Sequence, residues 1–377
     1  MRPPRSLRSL PPEGAHAADR QSGIRAWPWL SRLAEHRLFW PTCTLVLLLA
    51  LNATFNAGFW QLQWRDGHLY GSLIDILNRA APLAVVALGM TLVIATRGID
   101  ISVGAVVAIA GATAALLIGG TLVLKGGQQT YVSRTPMALA IVAALAVAAL
   151  CGLWNGLLVA RVGMQPIIAT LILMVAGRGI AQLITNGQII TVYYAPYFTI
   201  GNGFLLGLPF AVFIAAAVWV VLHLLMTRTA LGLFIQAIGI NPAAARLAGL
   251  PERLITVCVY VFCGFAAGVA GLIVSSNVKS ADGNNAGLLL ELDAILAVTL
   301  GGTLLTGGRF SLAGSVLGAL IIQTLTSTIY SIGVPPEINL VVKAAVVFVV
   351  MLLQSAEFRA SVRAWVQRRP LPGAPVR

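Results

Sequence analysis

Apolar residues in this chain do not alternate with polar ones. They come in unbroken blocks of roughly twenty, separated by short polar links. Ten blocks are read at Phe39–Phe59, Leu73–Thr96, Val103–Leu124, Pro136–Ala160, Gln165–Ile184, Phe204–Met226, Leu254–Val274, Leu288–Thr306, Leu312–Ile332 and Ile338–Gln354. As helices rising about 1.5 Å per residue, such blocks are long enough for about 30 Å of hydrocarbon, allowing for tilt. The expected fold is therefore all-α: a polytopic membrane protein of about ten transmembrane helices over residues 38–355. Residues 1–37 read as a disordered basic tail and 356–377 as a second basic tail.

One link is patterned in its own right. Asn241–Gly249 reads NPAAARLAG. Asn241 suits an N-cap, Pro242 the first helical position, and Ala243 to Ala248 a helix interior. Gly249 suits the left-handed position after the last turn, and Pro251 stops any continuation. The spacing predicts a short helix over Pro242–Ala248, about 10 Å long, too short to cross a bilayer and too short to stand alone. A sealed, alanine-rich peg fits a surface held by another protein, with an ordinary interfacial loop as the plainer alternative.

Composition agrees with the block pattern. Of 377 residues, 58% are hydrophobic and 10% charged, which excludes a soluble domain. A net charge of +13 would point to nucleic acid in a soluble protein. Here the cations report topology, and no nucleic-acid partner is expected. With both tails in the cytoplasm, 18 of the 25 cations fall in inner segments. That bias predicts an inner-membrane protein with cytoplasmic termini, and it places Asn241–Gly249 in the cytoplasm. Cys43, Cys151, Cys258 and Cys263 read as small buried apolar residues, and no metal-ligand spacing occurs.

No catalytic constellation is present in the spans, so no enzyme is expected. None of the three lysines follows a glycine, so the chain lacks a phosphate-cradling P-loop, and nucleotide would have to be held by a second polypeptide. Asp100 reads as an N-cap of the third span near the cytoplasmic interface, not as a proton or ion site. Arg79, Arg178 and Lys343 lie at similar depth within their spans, with Asp75, Glu291, Asp293 and Glu337 near the same side. They suggest a charged collar round the outer mouth, with snorkelling as the alternative. Asn155, Gln165, Thr170, Arg178, Gln182 and Asp293 are candidates for a translocation pathway, although helix–helix glue is the commoner role of such groups. Lys279, Asp282, Asn284 and Asn285, in the polar link Ser275–Leu290, are candidates for docking a soluble partner. An ion-coupled secondary sugar transporter is the alternative function. It would want an acid near the midplane, and Asp100, Glu291 and Asp293 all fall near span ends.

Four segments carry a family resemblance: GIDISVG (Gly98–Gly104), NGLLVARVGMQPIIATLILMVAGRG (Asn155–Gly179), AIGINPAAARLAG (Ala237–Gly249) and ELDAILAVTLGGTLLTGGRF (Glu291–Phe310). In this order they resemble the permease subunits of bacterial ABC sugar importers of the ribose/branched-chain amino-acid permease superfamily. LNRAAP (Leu77–Pro82) and ADGNNAGLLLELDAILAV (Ala281–Val298) look most like its galactofuranose-importer branch. The resemblance implies a translocation subunit that pairs with a second permease, itself or a paralogue. It implies ABC ATPase subunits holding ATP and Mg, a periplasmic sugar-binding protein, and inverted repeats over spans two to five and seven to ten. It makes Asn241–Gly249 the coupling helix, with Gly239, Asn241, Pro242, Ala244, Ala245, Arg246 and Gly249 in the ATPase-coupling set. One departure is Arg97, where the family usually has glycine.

Overall fold

The computed structural model describes residues 38–55, 58–65, 67–125, 128–333, 335–354, 358 and 361. Both tails expected from sequence, apart from Phe358 and Ser361, lie outside the described residues, as do the side chains of Lys125 and Glu337. The described chain is mostly helical. Its helices are α1 (Phe39–Phe55), α2 (Ser72–Ala95), α3 (Val103–Ile118), α4 (Met137–Leu157), α5 (Pro166–Ile184), α6 (Thr199–Asn202), α7 (Phe210–Arg228), α8 (Leu231–Ile240), α9 (Pro242–Leu247), α10 (Glu252–Val278), α11 (Leu290–Leu300), α12 (Leu312–Ser331) and α13 (Pro336–Gln354). Six of these are long and apolar enough to cross a membrane: α2, α4 with its continuation to Val162, α5, α7, α10 and α12. The remaining apolar helices, α1, α3, α8 and part of α13, are shorter.

Where block and helix differ, glycine or proline decides. The third block stops as helix at Ile118, because Gly119 and Gly120 both take positive φ. Its tail instead forms an antiparallel hairpin, β1 (Thr121–Lys125) with β2 (Gln128–Val132). The block from Phe204 opens with a tight hairpin around Leu206–Gly207, and helix begins only after Pro209. The block from Leu288 is helical only over Leu290–Leu300 and ends at Gly301–Gly302. Conversely, α10 runs four residues past the predicted Val274.

The core is built round α2, α3 and α10. Every residue of α2 from Ala80 to Ala95 is buried, and so is every residue of α3 from Val103 to Ala112, as expected of helices apolar all round. By contrast, α7 buries only Ala211 and Leu222 and turns branched apolar side chains outward. Helices α4 and α10 pack through small residues. A Cβ on Gly264 would lie 2.5 Å from the Ala148 carbonyl oxygen and 2.8 Å from the Gly152 nitrogen, and one on Gly152 would overlap the Tyr260 carbonyl. Small residues let helices in a bilayer approach until dispersion contacts hold them. Two of the four cysteines depart from the expected burial. Cys43 and Cys258 are exposed on outward helix faces, Cys151 is half-buried, and Cys263 is buried.

This packing generates a stability prediction. Gly264→Val should force α4 and α10 apart, at a cost of about 1–3 kcal/mol or more. Gly179→Ala, with nothing near the added Cβ, should leave the melting temperature unchanged or raised. Thermal unfolding and size-exclusion profiles in detergent separate the two variants.

Candidate functional site

The peg predicted at Asn241–Gly249 forms, and both of its ends are closed. The Asn241 side chain accepts from the Ala244 amide at 3.1 Å, and Pro242 occupies the first turn. The helix ends at Leu247, one residue earlier than predicted, with Ala248 as C-cap and Gly249 left-handed at φ 84°. The amides of Ala248, Gly249 and Leu250 return to Ala244, Arg246 and Ala245. Arg246 pairs with Glu252 at 2.6 Å, fastening the peg to the first turn of α10. Ala245 faces the core, while Leu247 is 91% exposed. Gly239 lies just before the peg, where an added Cβ would overlap the Ala95 carbonyl and the Gly308 nitrogen. The seven residues predicted here thus form one contiguous structure.

The turn between α2 and α3 does something else than predicted. Asp100 does not cap α3. Its Oδ1 accepts from the amide and the hydroxyl of Ser102 (3.0 and 2.6 Å) and from Asn155 Nδ2 at 3.3 Å. Nor does it lie at an end of the bundle. It is 1% exposed, and the nearby Gly98 lies against the Tyr260 hydroxyl of the 27-residue α10. Ser102 also accepts from Asn155 at 2.9 Å. Thr170 is buried beside the same turn, between the carbonyl of Ile99 and the amide of Ile101. Asn155 and Thr170, read as pathway candidates, serve this turn. Tyr260, whose hydroxyl lies against Gly98, and Ser102 complete the cluster, and sequence reading missed both. The only signal was an apolar helix carrying a lone tyrosine.

A second buried meeting point surrounds the start of α11. Glu291, in the first turn of α11, rests on Gly104 in the first turn of α3. Asp293 pairs with Lys343 of α13 at 2.6 Å. Arg178 of α5 donates to the carbonyls of Ala286 (2.6 Å) and Gly283 (3.4 Å) in the preceding link. Beside it, Gln182 donates to Asn284 Oδ1 at 2.7 Å, and Gln165 is an exposed residue at the start of α5. In that link Asp282 accepts from the amides of Asn284 and Asn285 and from the Asn285 side chain. Burial pulls its carboxyl upward. The three hydrogen bonds and the nearby Arg178 outweigh that and hold it below the usual carboxylate range. Lys279, left-handed at φ 57°, lies over the Phe198 ring at 5.0 Å.

Residues 72–351 match the model of the branched-chain amino acid transport system / permease component family. The chain belongs to this family. The galactofuranose transporter permease protein of Escherichia coli is 50% identical over 86% of this chain and 93% of its own. A fructose import permease protein of Bifidobacterium longum is 40% identical, over 87% of this chain and 90% of its own. The ribose import permease protein of Haemophilus influenzae is 35% identical, over 85% and 93%. No solved structure matches the chain.

The permease also carries a polar cavity that its sequence did not announce. About 650 Å³ in volume, it lies between the first turns of α2 and the last turns of α12. Asp75, Arg79, Gln323, Thr326, Ser327 and Tyr330 line it. Arg79 therefore faces this cavity, Arg178 the link before α11, and Lys343 the Asp293 carboxylate. The three cations read as one collar serve three separate places.

Substitution at Asp100 tests the buried turn of the permease. Asp100→Asn retains an Oδ1 acceptor and should melt within a few degrees of the wild type. Asp100→Leu strands the Ser102 and Asn155 donors at about 1–3 kcal/mol each, and should lower the melting temperature sharply. Differential scanning fluorimetry in detergent reads both.

Proposed function

We propose that this permease is the translocation subunit of an ATP-driven sugar importer of the bacterial inner membrane. In this reading the apolar helices cross the membrane ten times, leaving both tails in the cytoplasm, with the membrane domain over residues 38–355. The observation that carries it is α9: a helix of six residues, sealed at both ends, with one face in the core and Leu247 almost wholly exposed. A rigid peg with an apolar tip is what a force-transmitting contact with another protein requires. Gly239 to Gly249 form that contact, and α9 sits in a groove of an ATPase subunit that holds ATP and Mg. The permease itself binds no nucleotide, cofactor or metal and performs no covalent chemistry. ATPase closure moves the pegs, and rigid helices rock to switch access.

The substrate is read from the relatives and the cavity together. A galactofuranose transporter permease at 50% identity, with fructose and ribose permeases further off, supports a furanose substrate, galactofuranose first. Carboxylate, guanidinium, amide, hydroxyl and aromatic groups in the cavity at Asp75, Arg79, Gln323 and Tyr330 suit a polyhydroxylated ligand. The link carrying Lys279, Asp282, Asn284 and Asn285 docks a periplasmic sugar-binding protein. Arg178, Gln182 and Asp293 flank the path near that end, and a second permease, a copy or a paralogue, completes the pore.

Reconstitution tests this. The permease, its ATPase and its binding protein in liposomes should take up labelled galactofuranose only with ATP. Leu247→Asp should cut that uptake by more than about tenfold, the loss expected when an interfacial anchor is removed, at unchanged membrane levels. Uptake that needs no ATPase, or survives Leu247→Asp, would overturn the reading.

A further inference from the structure

Arg97 is the residue where two parts of the permease meet. Its Nε donates to the Gly239 carbonyl at 2.6 Å and its Nη2 to the Ile240 carbonyl at 2.5 Å. These are the last two carbonyls of α8, part of the set that a helix cannot satisfy by itself. A cation there also meets the negative end of the helix dipole. The next residue, Asn241, is the N-cap of α9. The guanidinium therefore grips the joint between α8 and the peg. It makes no ion pair among the described residues.

The other end of the same residue is anchored in the core. The amides of Arg97 and Gly98 return to Ile94 and Val93 of α2. Gly98 lies against the Tyr260 hydroxyl, and Asp100, two residues further on, is tied to Ser102 and Asn155. Arg97 takes φ of 65°, the left-handed region that suits glycine. An arginine that holds this backbone while making two charge-assisted bonds has its side chain aimed for a purpose. Its stem crosses Gly307, where a Cβ would lie 2.5 Å from Arg97 Cγ, and the neighbouring Gly308 amide donates to Ala95 at 2.9 Å. The end of α8 is thus clamped between two turns, and the side chain that bonds its last carbonyls is Arg97.

We propose that Arg97 is a positioning residue that transmits displacement of the peg to the buried turn at the start of α3. This rests on the reading of α9 as the coupling helix. When α9 moves, the α8 carbonyls move with it, because Ile240 is joined directly to Asn241, the N-cap of α9. A bidentate guanidinium passes that movement to the Arg97 backbone, and the turn with Asp100 is too tightly bonded to absorb it. Without the guanidinium, only the packing of Gly239 against Ala95 and Gly308 joins the peg to the turn, and movement is passed on less fully.

The test measures sugar taken up per ATP hydrolysed, in liposomes holding the permease with its ATPase and its binding protein. Arg97→Ala and Arg97→Gly should lower this ratio by about fivefold, in the range of a coupling loss between two sites, while ATP hydrolysis stays within about twofold. Glycine relieves the left-handed backbone, so a purely local strain effect would make Arg97→Gly better coupled than wild type. Arg97→Lys, a single point charge without the fork, should fall between wild type and alanine. An unchanged ratio in Arg97→Ala and Arg97→Gly overturns the inference alone. So does a fall in uptake, hydrolysis and melting temperature in parallel, the sign of a plain helix cap. Should the smaller side chains fail to fold, a wild-type ratio in Arg97→Lys overturns it and a lowered ratio supports it. A wild-type complex with no ATP-driven uptake removes the proposed function, and this inference with it.

Discussion

Backbone that leaves the helix inside an apolar bundle must find its hydrogen bonds within the protein, because hydrocarbon supplies none. This permease breaks its helical run at such places repeatedly. Helix α3 starts beside the middle of α10, and α11 is only 11 residues long. Each break exposes amides and carbonyls, and polar side chains meet them. Asp100 takes the Ser102 amide, Thr170 stands between Ile99 and Ile101, and Arg178 takes the carbonyls of Gly283 and Ala286. At the break before α12, Thr303 accepts from Ser311, which caps Gly314 in turn.

The breaks are also joined to each other. Gly308 donates to Ala95, linking the turn after α11 to the turn after α2, and Thr91 of α2 donates to Ser315 of α12 at 2.7 Å. Glycines make the approach close enough: Gly301 against Gly314, Gly318 against Ala297, Gly239 against Ala95. Such contacts move as rigid units, because a packed interface shifts between arrangements more readily than it stretches. The bundle therefore has stiff joints beside the peg and a polar cavity between α2 and α12 at the opposite end of α2.

The ion-coupled alternative wants an acid near the midplane of a span, and Glu291 and Asp293 lie in the first turn of α11 and Asp100 in the link between α2 and α3. What separates the two functions is family membership and the hydrogen bonds of Asp100, which are local and directed at a turn.

The chain by itself determined the helical class, the positions of its apolar blocks, the capped peg and the family. Each depends on local chemistry: an asparagine before a proline, a glycine after an alanine run, twenty or so apolar residues in a row. Ends of blocks at Ile118, Pro209 and Leu300 were less legible, since a hydropathy block continues through a β-hairpin or a glycine turn. The partners of polar residues were decided only in three dimensions. Lys343 finds Asp293 fifty residues away, Arg97 finds Gly239 and Ile240, and Asn155 finds Asp100. Spacing along the chain cannot reveal such pairs, because the bundle brings together helices whose order in space is set by packing and not by order in the chain.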